Sequence, residues 1–214
     1  MAEGTFFTGY TDKKGRKCAY GVQLWPDNTK YEGEWFDNQA NGKGQLWCPN
    51  GDTYEGEWKN DQANGFGAFQ SNDGKKRYVG NWRDDLYHGQ GVESWADGSR
   101  FDGHFAQGKK NGFGTHFWPD GTYYSGNWTN NKMRGQGSYK WVDGREYVGE
   151  WLNNNMHGKG KYTWPDGRTY EGEYQDDQRH GFGCFRWVGG RQYEGQWEKG
   201  KMHGKGVFTD SDGK

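Results

Sequence analysis

An all-β, single-layer sheet built from tandem antiparallel hairpins is predicted by three observations. A motif returns about every 23 residues, apolar and polar positions alternate strictly inside it, and aromatic rings stand where an aliphatic core would normally be. The motif is aromatic-x-Gly-x-aromatic, then six residues, then Gly-x-Gly. Its first half reads YEGEW from Tyr31, YEGEW from Tyr54, YVGNW from Tyr78, FDGHF from Phe101, YSGNW from Tyr124, YVGEW from Tyr147, YEGEY from Tyr170 and YEGQW from Tyr193. Units of this length bury their apolar faces only by stacking on neighbours. Function is therefore expected along a surface, not in one pocket.

Residues 1–30 hold a worn first copy, Phe7-Thr8-Gly9-Tyr10-Thr11 followed by Ala19-Tyr20-Gly21, with Ala19 in place of a glycine. It is expected to act as an N-terminal cap. Eight regular copies fill 31–206. Residues 207–214 complete a last strand and turn with no cap, an open edge that calls for a partner, a second copy as a homo-oligomer, or a longer parent chain.

Within one copy, Tyr54-Glu55-Gly56-Glu57-Trp58 and Gly65-Phe66-Gly67-Ala68-Phe69 read as two strands, and Lys59 to Asn64 as a six-residue loop between them. A symmetric hairpin of that kind sets Trp58 opposite Gly65, Gly56 opposite Gly67 and Tyr54 opposite Phe69. The same sums put Trp35 on Gly42, Trp82 on Gly89, Trp128 on Gly135, Trp151 on Gly158 and Trp197 on Gly204, with Tyr124 opposite Tyr139 and Tyr147 opposite Tyr162. Rings then rest on bare glycine backbone. The other face carries Glu34 against Lys43 and Glu150 against Lys159, in water. Pro49-Asn50-Gly51, Pro119-Asp120-Gly121 and Pro165-Asp166-Gly167 are turns that lead to the next hairpin, across which the register stays open. At ~4.8 Å per strand, eight or nine copies would make a rod of roughly 80 Å.

There is no Ile and there are four Leu, against 13 Trp, 14 Tyr and 12 Phe, so rings must form the core and the chain is not of the disordered kind. A net charge of −1 gives no field for nucleic acid. The runs Lys13 to Lys17, Lys75 to Arg77 and Lys109-Lys110 read as solvated loop tips. Three cysteines (Cys18, Cys48, Cys184) fit a reducing, cytosolic setting. No stretch has the length of a membrane span or the pattern of a signal peptide.

No catalytic, metal-binding or cofactor-binding residues are expected. His88, His157, His180 and His203 recur at the repeat period, but neighbours ~9.6 Å apart cannot share one zinc ion, and they read as loop histidines. The Gly-x-Gly pairs run on into strands, not helices, so they are not phosphate loops. Glu55 with Glu57, and Glu171 with Glu173, read as solvated carboxylates on a polar strand face.

What remains is aromatic. Trp95, Trp118, Trp141, Trp164 and Trp187 sit four residues after the second glycine of their copies and exceed what ring-on-glycine packing requires. Either they pack on the next hairpin or, with Tyr139, Tyr162 and Phe185, they line a surface that anchors a partner.

Tandem YxGxW, GxG and DG turns at this spacing resemble the MORN-repeat family, and the resemblance covers residues 31 to 206 almost without a gap. Departures are Phe101 and Phe105 in one copy, Tyr174 for Trp in another, an extra residue near Asp73 to Arg77, and Asn28 where the turn glycine is expected. The resemblance implies a twisted one-layer sheet whose aromatic-lined groove receives a partner's helix or extended segment, and a role as a scaffold in cilia, including radial-spoke heads, or in the cytoskeleton. It also implies two other readings: a peripheral membrane module binding anionic phospholipid, and a regulatory fragment of a larger enzyme. A non-enzymatic scaffold for other proteins is the first expectation.

Overall fold

The computed structural model describes residues 4–213. The described residues form eighteen antiparallel strands and contain no helix. The chain divides into two compact units, 1–109 and 110–214.

In the first unit the strands are β1 (Phe6–Thr11), β2 (Lys17–Leu24), β3 (Lys30–Phe36), β4 (Gln39–Trp47), β5 (Thr53–Lys59), β6 (Gln62–Gln70), β7 (Lys76–Arg83), β8 (Leu86–Trp95) and β9 (Arg100–Ala106). In the second they are β10 (Lys109–Phe117), β11 (Tyr123–Thr129), β12 (Lys132–Lys140), β13 (Glu146–Leu152), β14 (Asn155–Thr163), β15 (Thr169–Gln175), β16 (Gln178–Arg186), β17 (Gln192–Glu198) and β18 (Lys201–Thr209). Within each unit every strand pairs with the next in sequence.

The hairpin register differs from the sequence expectation in one respect. Tyr54 does face Phe69 and Gly56 does face Gly67, but Trp58 faces Ala63, and the register slips by two residues between Gly56 and Trp58. The segment read as a six-residue loop is strand, two-residue turn and strand: Asn60 and Asp61 take φ of 50° and 66°. Asparagine and aspartate tolerate this left-handed backbone, and a turn with two such residues matches the twist of the flanking strands. The two extra residues lie on β6, where Asn64, Gly65 and Phe66 span the single residue Glu57, and are absorbed there as a bulge.

As a result, the Trp of a regular copy meets a glycine of the preceding one, whereas Trp35 faces Ala19. Gly42 faces Trp58, Gly65 faces Trp82, Gly135 faces Trp151, and Gly181 faces Trp197. The expected pairs Trp35–Gly42, Trp58–Gly65, Trp82–Gly89, Trp128–Gly135, Trp151–Gly158 and Trp197–Gly204 are therefore each displaced by one hairpin; Trp128 and Trp151 face Met133 and Met156 inside their own hairpins. The polar pairs shift likewise, with Lys43 facing Glu57 and Lys159 facing Glu173.

One glycine per strand lines up across each unit. Gly21, Gly33, Gly44, Gly56, Gly67, Gly80, Gly91 and Gly103 are successive cross-strand partners in the first. Gly114, Gly126, Gly137, Gly149, Gly160, Gly172, Gly183, Gly195 and Gly206 repeat the row in the second. The tyrosines, not the tryptophans, lie on this row: a Cβ on Gly67 would run into the Tyr54 ring, and one on Gly160 into Tyr147.

Tyrosine and tryptophan then alternate edge to face as a zipper. Trp35, Tyr31, Trp58, Tyr54, Trp82 and Tyr78 follow one another at centroid distances of 5.0, 5.2, 5.0, 4.9 and 5.3 Å. Trp128, Tyr124, Trp151, Tyr147, Tyr174, Tyr170 and Trp197 do so in the second unit. Each such contact is worth about 0.5–1.5 kcal/mol beyond area burial.

The polar atoms of these rings are satisfied by the backbone irregularity itself. Tyr54 Oη donates to the carbonyl of Glu57, the residue opposite the bulge, at 3.0 Å, and Trp58 Nε1 donates to the Gly44 carbonyl at 3.0 Å. Hairpin tips also grip the preceding hairpin: the Ala40 amide donates to Asp61 Oδ1 at 2.7 Å and the Met133 amide to Asn154 Oδ1 at 2.9 Å. A one-layer sheet thus has a core one ring thick.

Candidate functional site

A second aromatic row lies on the same face of the second unit, beside the zipper and towards the turns that join hairpins. Its residues come from two fixed places in each copy, two and four positions after the second glycine. Trp118, Tyr139, Trp141, Tyr162, Trp164, Phe185 and Trp187 follow one another at 5.2, 4.5, 5.3, 4.4, 5.4 and 4.6 Å, and Phe208 ends the run 6.2 Å from Trp187. Each tryptophan packs on the ring of the following hairpin. The tryptophans stay half-buried, whereas Tyr162 and Phe185 are buried beneath them. Trp95 is set apart in the first unit, where the inner place of its copy is Glu93.

Three arginines roof this row, and sequence reading missed them. Arg145 lies 5.2 Å over Trp141, Arg168 lies 5.5 Å over Trp164, and Arg191 lies 5.3 Å over Trp187 and 5.1 Å over Phe208. Asp143 and Asp166 orient the first two by charge-assisted bonds of 2.7 Å from Nε. Arg145 also donates to Tyr162 Oη at 3.3 Å. The signal was present: Arg follows Trp by four residues in three successive copies and in no earlier one.

Burial raises the pKa of Tyr139 and of Tyr162, keeping both neutral donors or acceptors under the row. Asp143 is held below the usual carboxylate range, first by the Arg145 amide and also by its guanidinium. The row is therefore a preformed apolar strip with fixed cationic caps.

The histidines are in strands, not loops. His88 is in β8, His157 in β14, His180 in β16 and His203 in β18, and His157 faces Glu150 across its hairpin. Among the described residues no group of three or more His, Cys, Asp or Glu could hold a metal ion. No helix of the described residues is long and apolar enough to cross a membrane.

The profile of the MORN repeat matches residues 13–30, 31–53, 54–76, 78–100, 101–123, 124–144, 147–167, 170–190 and 193–214. Among solved structures, the G-box domain of the microcephaly protein CPAP aligns at 12% identity over 89% of this chain and 97% of its own, with a TM-score of 0.53. The TCP10 domain of Danio rerio CPAP aligns at 11% identity over 100% and 94%, with a TM-score of 0.48. The Drosophila melanogaster SAS-4 (dCPAP) TCP domain, solved with a proline-rich motif of Ana2, aligns at 10% identity over 92% and 96%, with a TM-score of 0.44. At such identities the first likeness is one of fold, and the weaker two carry no argument. No curated protein matches the sequence.

Proposed function

The chain belongs to the MORN-repeat family, and on that premise we propose that it is a non-enzymatic scaffold that docks helical or extended segments of other proteins along the outer aromatic row of residues 110–214. The carrying observation is the unbroken run from Trp118 to Phe208, half-exposed and capped by Arg145, Arg168 and Arg191. Tryptophan and arginine are the residues that concentrate binding energy at protein interfaces. Rings already locked against each other lose little freedom when a partner settles on them. The setting proposed is a cytoskeletal assembly, with the ciliary axoneme as its specific form.

The test is affinity capture of the tagged full chain from ciliated cells, followed by mass spectrometry, with Trp141→Ala/Trp164→Ala as the comparison. Partner recovery is expected to fall several-fold while the strand circular dichroism of the variant is retained. Unchanged recovery removes the row as the docking surface. A fluorescent fusion that stays diffuse in ciliated cells removes the axonemal setting and leaves the adaptor role standing.

A further inference from the structure

The face opposite the rings is not a plain solvated surface. In the first unit it holds an open groove of about 740 Å³ that runs across β2 to β6. Its floor is the glycine row Gly33, Gly44, Gly56 and Gly67, whose missing side chains would all have pointed to the aromatic face. Its walls are the residues flanking each glycine along the strand, ~7 Å apart at the backbone. Along one wall Glu32, Gln45, Glu55 and Ala68 are successive cross-strand partners. The other wall carries Tyr20, Lys43, Glu57 and Phe66.

The chemistry of this groove is one-sided. Its lining holds three carboxylates, Glu32, Glu55 and Glu57, and one basic residue, Lys43. Glu32 is already matched, accepting from Lys30 Nζ at 2.7 Å and from Tyr20 Oη at 2.9 Å. Glu55 and Glu57 take part in no ion pair among the described residues. Beside them stand two rings with nothing laid on them, Tyr20 at 52% and Phe66 at 56% exposure. The same face of the second unit has a comparable groove of about 650 Å³, but there Lys159, Lys161 and Arg186 balance Glu171, Glu173 and Glu194. Lys161 faces Glu171, and Lys159 faces Glu173. The second groove is lined by as many cations as carboxylates, and the first is not.

We propose that the first groove docks an extended segment of a partner protein bearing spaced arginines or lysines. The cations meet Glu55 and Glu57, and guanidinium planes lie on Tyr20 and Phe66. This surface is separate from the outer aromatic row, so it stands or falls independently of the function proposed above.

The test is fluorescence anisotropy of a labelled twelve-residue peptide of alternating arginine and serine, titrated with the full chain at low and high salt. A glutamate–serine peptide of equal length is the comparison. The arginine peptide is expected to bind the more tightly, Glu55→Gln/Glu57→Gln to weaken it about fivefold, and Phe66→Ala to weaken it further. Glu171→Gln/Glu194→Gln removes the same charge from the second groove and is expected to leave binding within about twofold. The Gln variants are exposed substitutions and keep the denaturation midpoint. Equal binding of the two peptides overturns the proposal. So does an equal loss in the two double variants, which would mean that only the overall charge is read.

Discussion

The two units share one core and differ outside it. The inner zipper of Tyr and Trp over the glycine row is the same in residues 1–109 and 110–214, down to the Trp Nε1 bond to a glycine carbonyl, 3.1 Å for Trp82 to Gly67 and 3.1 Å for Trp197 to Gly183. The outer row is complete only in the second unit. In the first its places read Leu46 and Cys48, Phe69 and Ser71, Glu93 and Trp95. There Glu93, 7% exposed, is matched by Lys76 Nζ at 2.8 Å, and Tyr87 stacks on Tyr78 at 3.7 Å. Conversely, the polar face carries an unbalanced groove in the first unit and a balanced one in the second. The lesson is that the zipper is the packing common to both units, which leaves both outer surfaces of each unit free to take different side chains.

That comparison can be broken at its strongest point first. Trp58→Ala and Trp151→Ala should each cost about 3–5 kcal/mol, because each removes a buried ring and a bond to glycine backbone. Chemical denaturation followed by circular dichroism should show equal losses; a clear inequality would mean that the two cores are not equivalent. Next, Gly56→Ala and Gly149→Ala should cost about 1–3 kcal/mol, since the new methyl meets the facing glycine Cα and the tyrosine ring. Wild-type midpoints would show that the glycine row is not required. Smaller still, Glu93→Ala should destabilise by about 1–2 kcal/mol, less than a fully buried pair because the Lys76 side chain is 40% exposed. The smallest loss, about 0.5–1 kcal/mol, is expected for Arg168→Ala. It should fall on addition of salt less than an exposed ion pair would, since the guanidinium also lies on Trp164.

The hairpins, their alternating faces, the turn chemistry and the reliance on rings were all legible in the sequence, because a period of two and a repeat of about 23 are properties of the string itself. Register was not. Tyr54 opposite Phe69 was found because that half of the hairpin is regular, whereas Trp58 opposite Gly65 failed on a two-residue bulge that spacing does not reveal. A readable clue lay in the turn: Asn60-Asp61, Asp84-Asp85, Asn130-Asn131, Asn153-Asn154 and Asp176-Asp177 occupy one place in their copies, and all take positive φ. Pairs of that kind signal a two-residue turn as well as Asn-Gly does. The candidate surface was half legible. The surplus tryptophans announced it, but their packing on the next hairpin, the arginine caps and the groove on the polar face depend on which strand is neighbour to which.

The central claim is that buried phenol rings on glycine backbone hold this sheet together, and alkaline titration tests it most directly. Burial raises the pKa of Tyr31, Tyr54 and Tyr78 in the first unit and of Tyr124, Tyr147, Tyr170 and Tyr174 in the second. An unfolded tyrosine ionises near pH 10, so above that pH the folded state binds more protons than the unfolded one, and stability falls as pH rises. The contribution is complete below about pH 10 and is lost above it. Tyrosinate absorbance and circular dichroism, followed together, should show these seven rings ionising only as the strand signal collapses, in one steep step. Smooth ionisation of all the tyrosines near pH 10 with the strand signal intact would contradict the account.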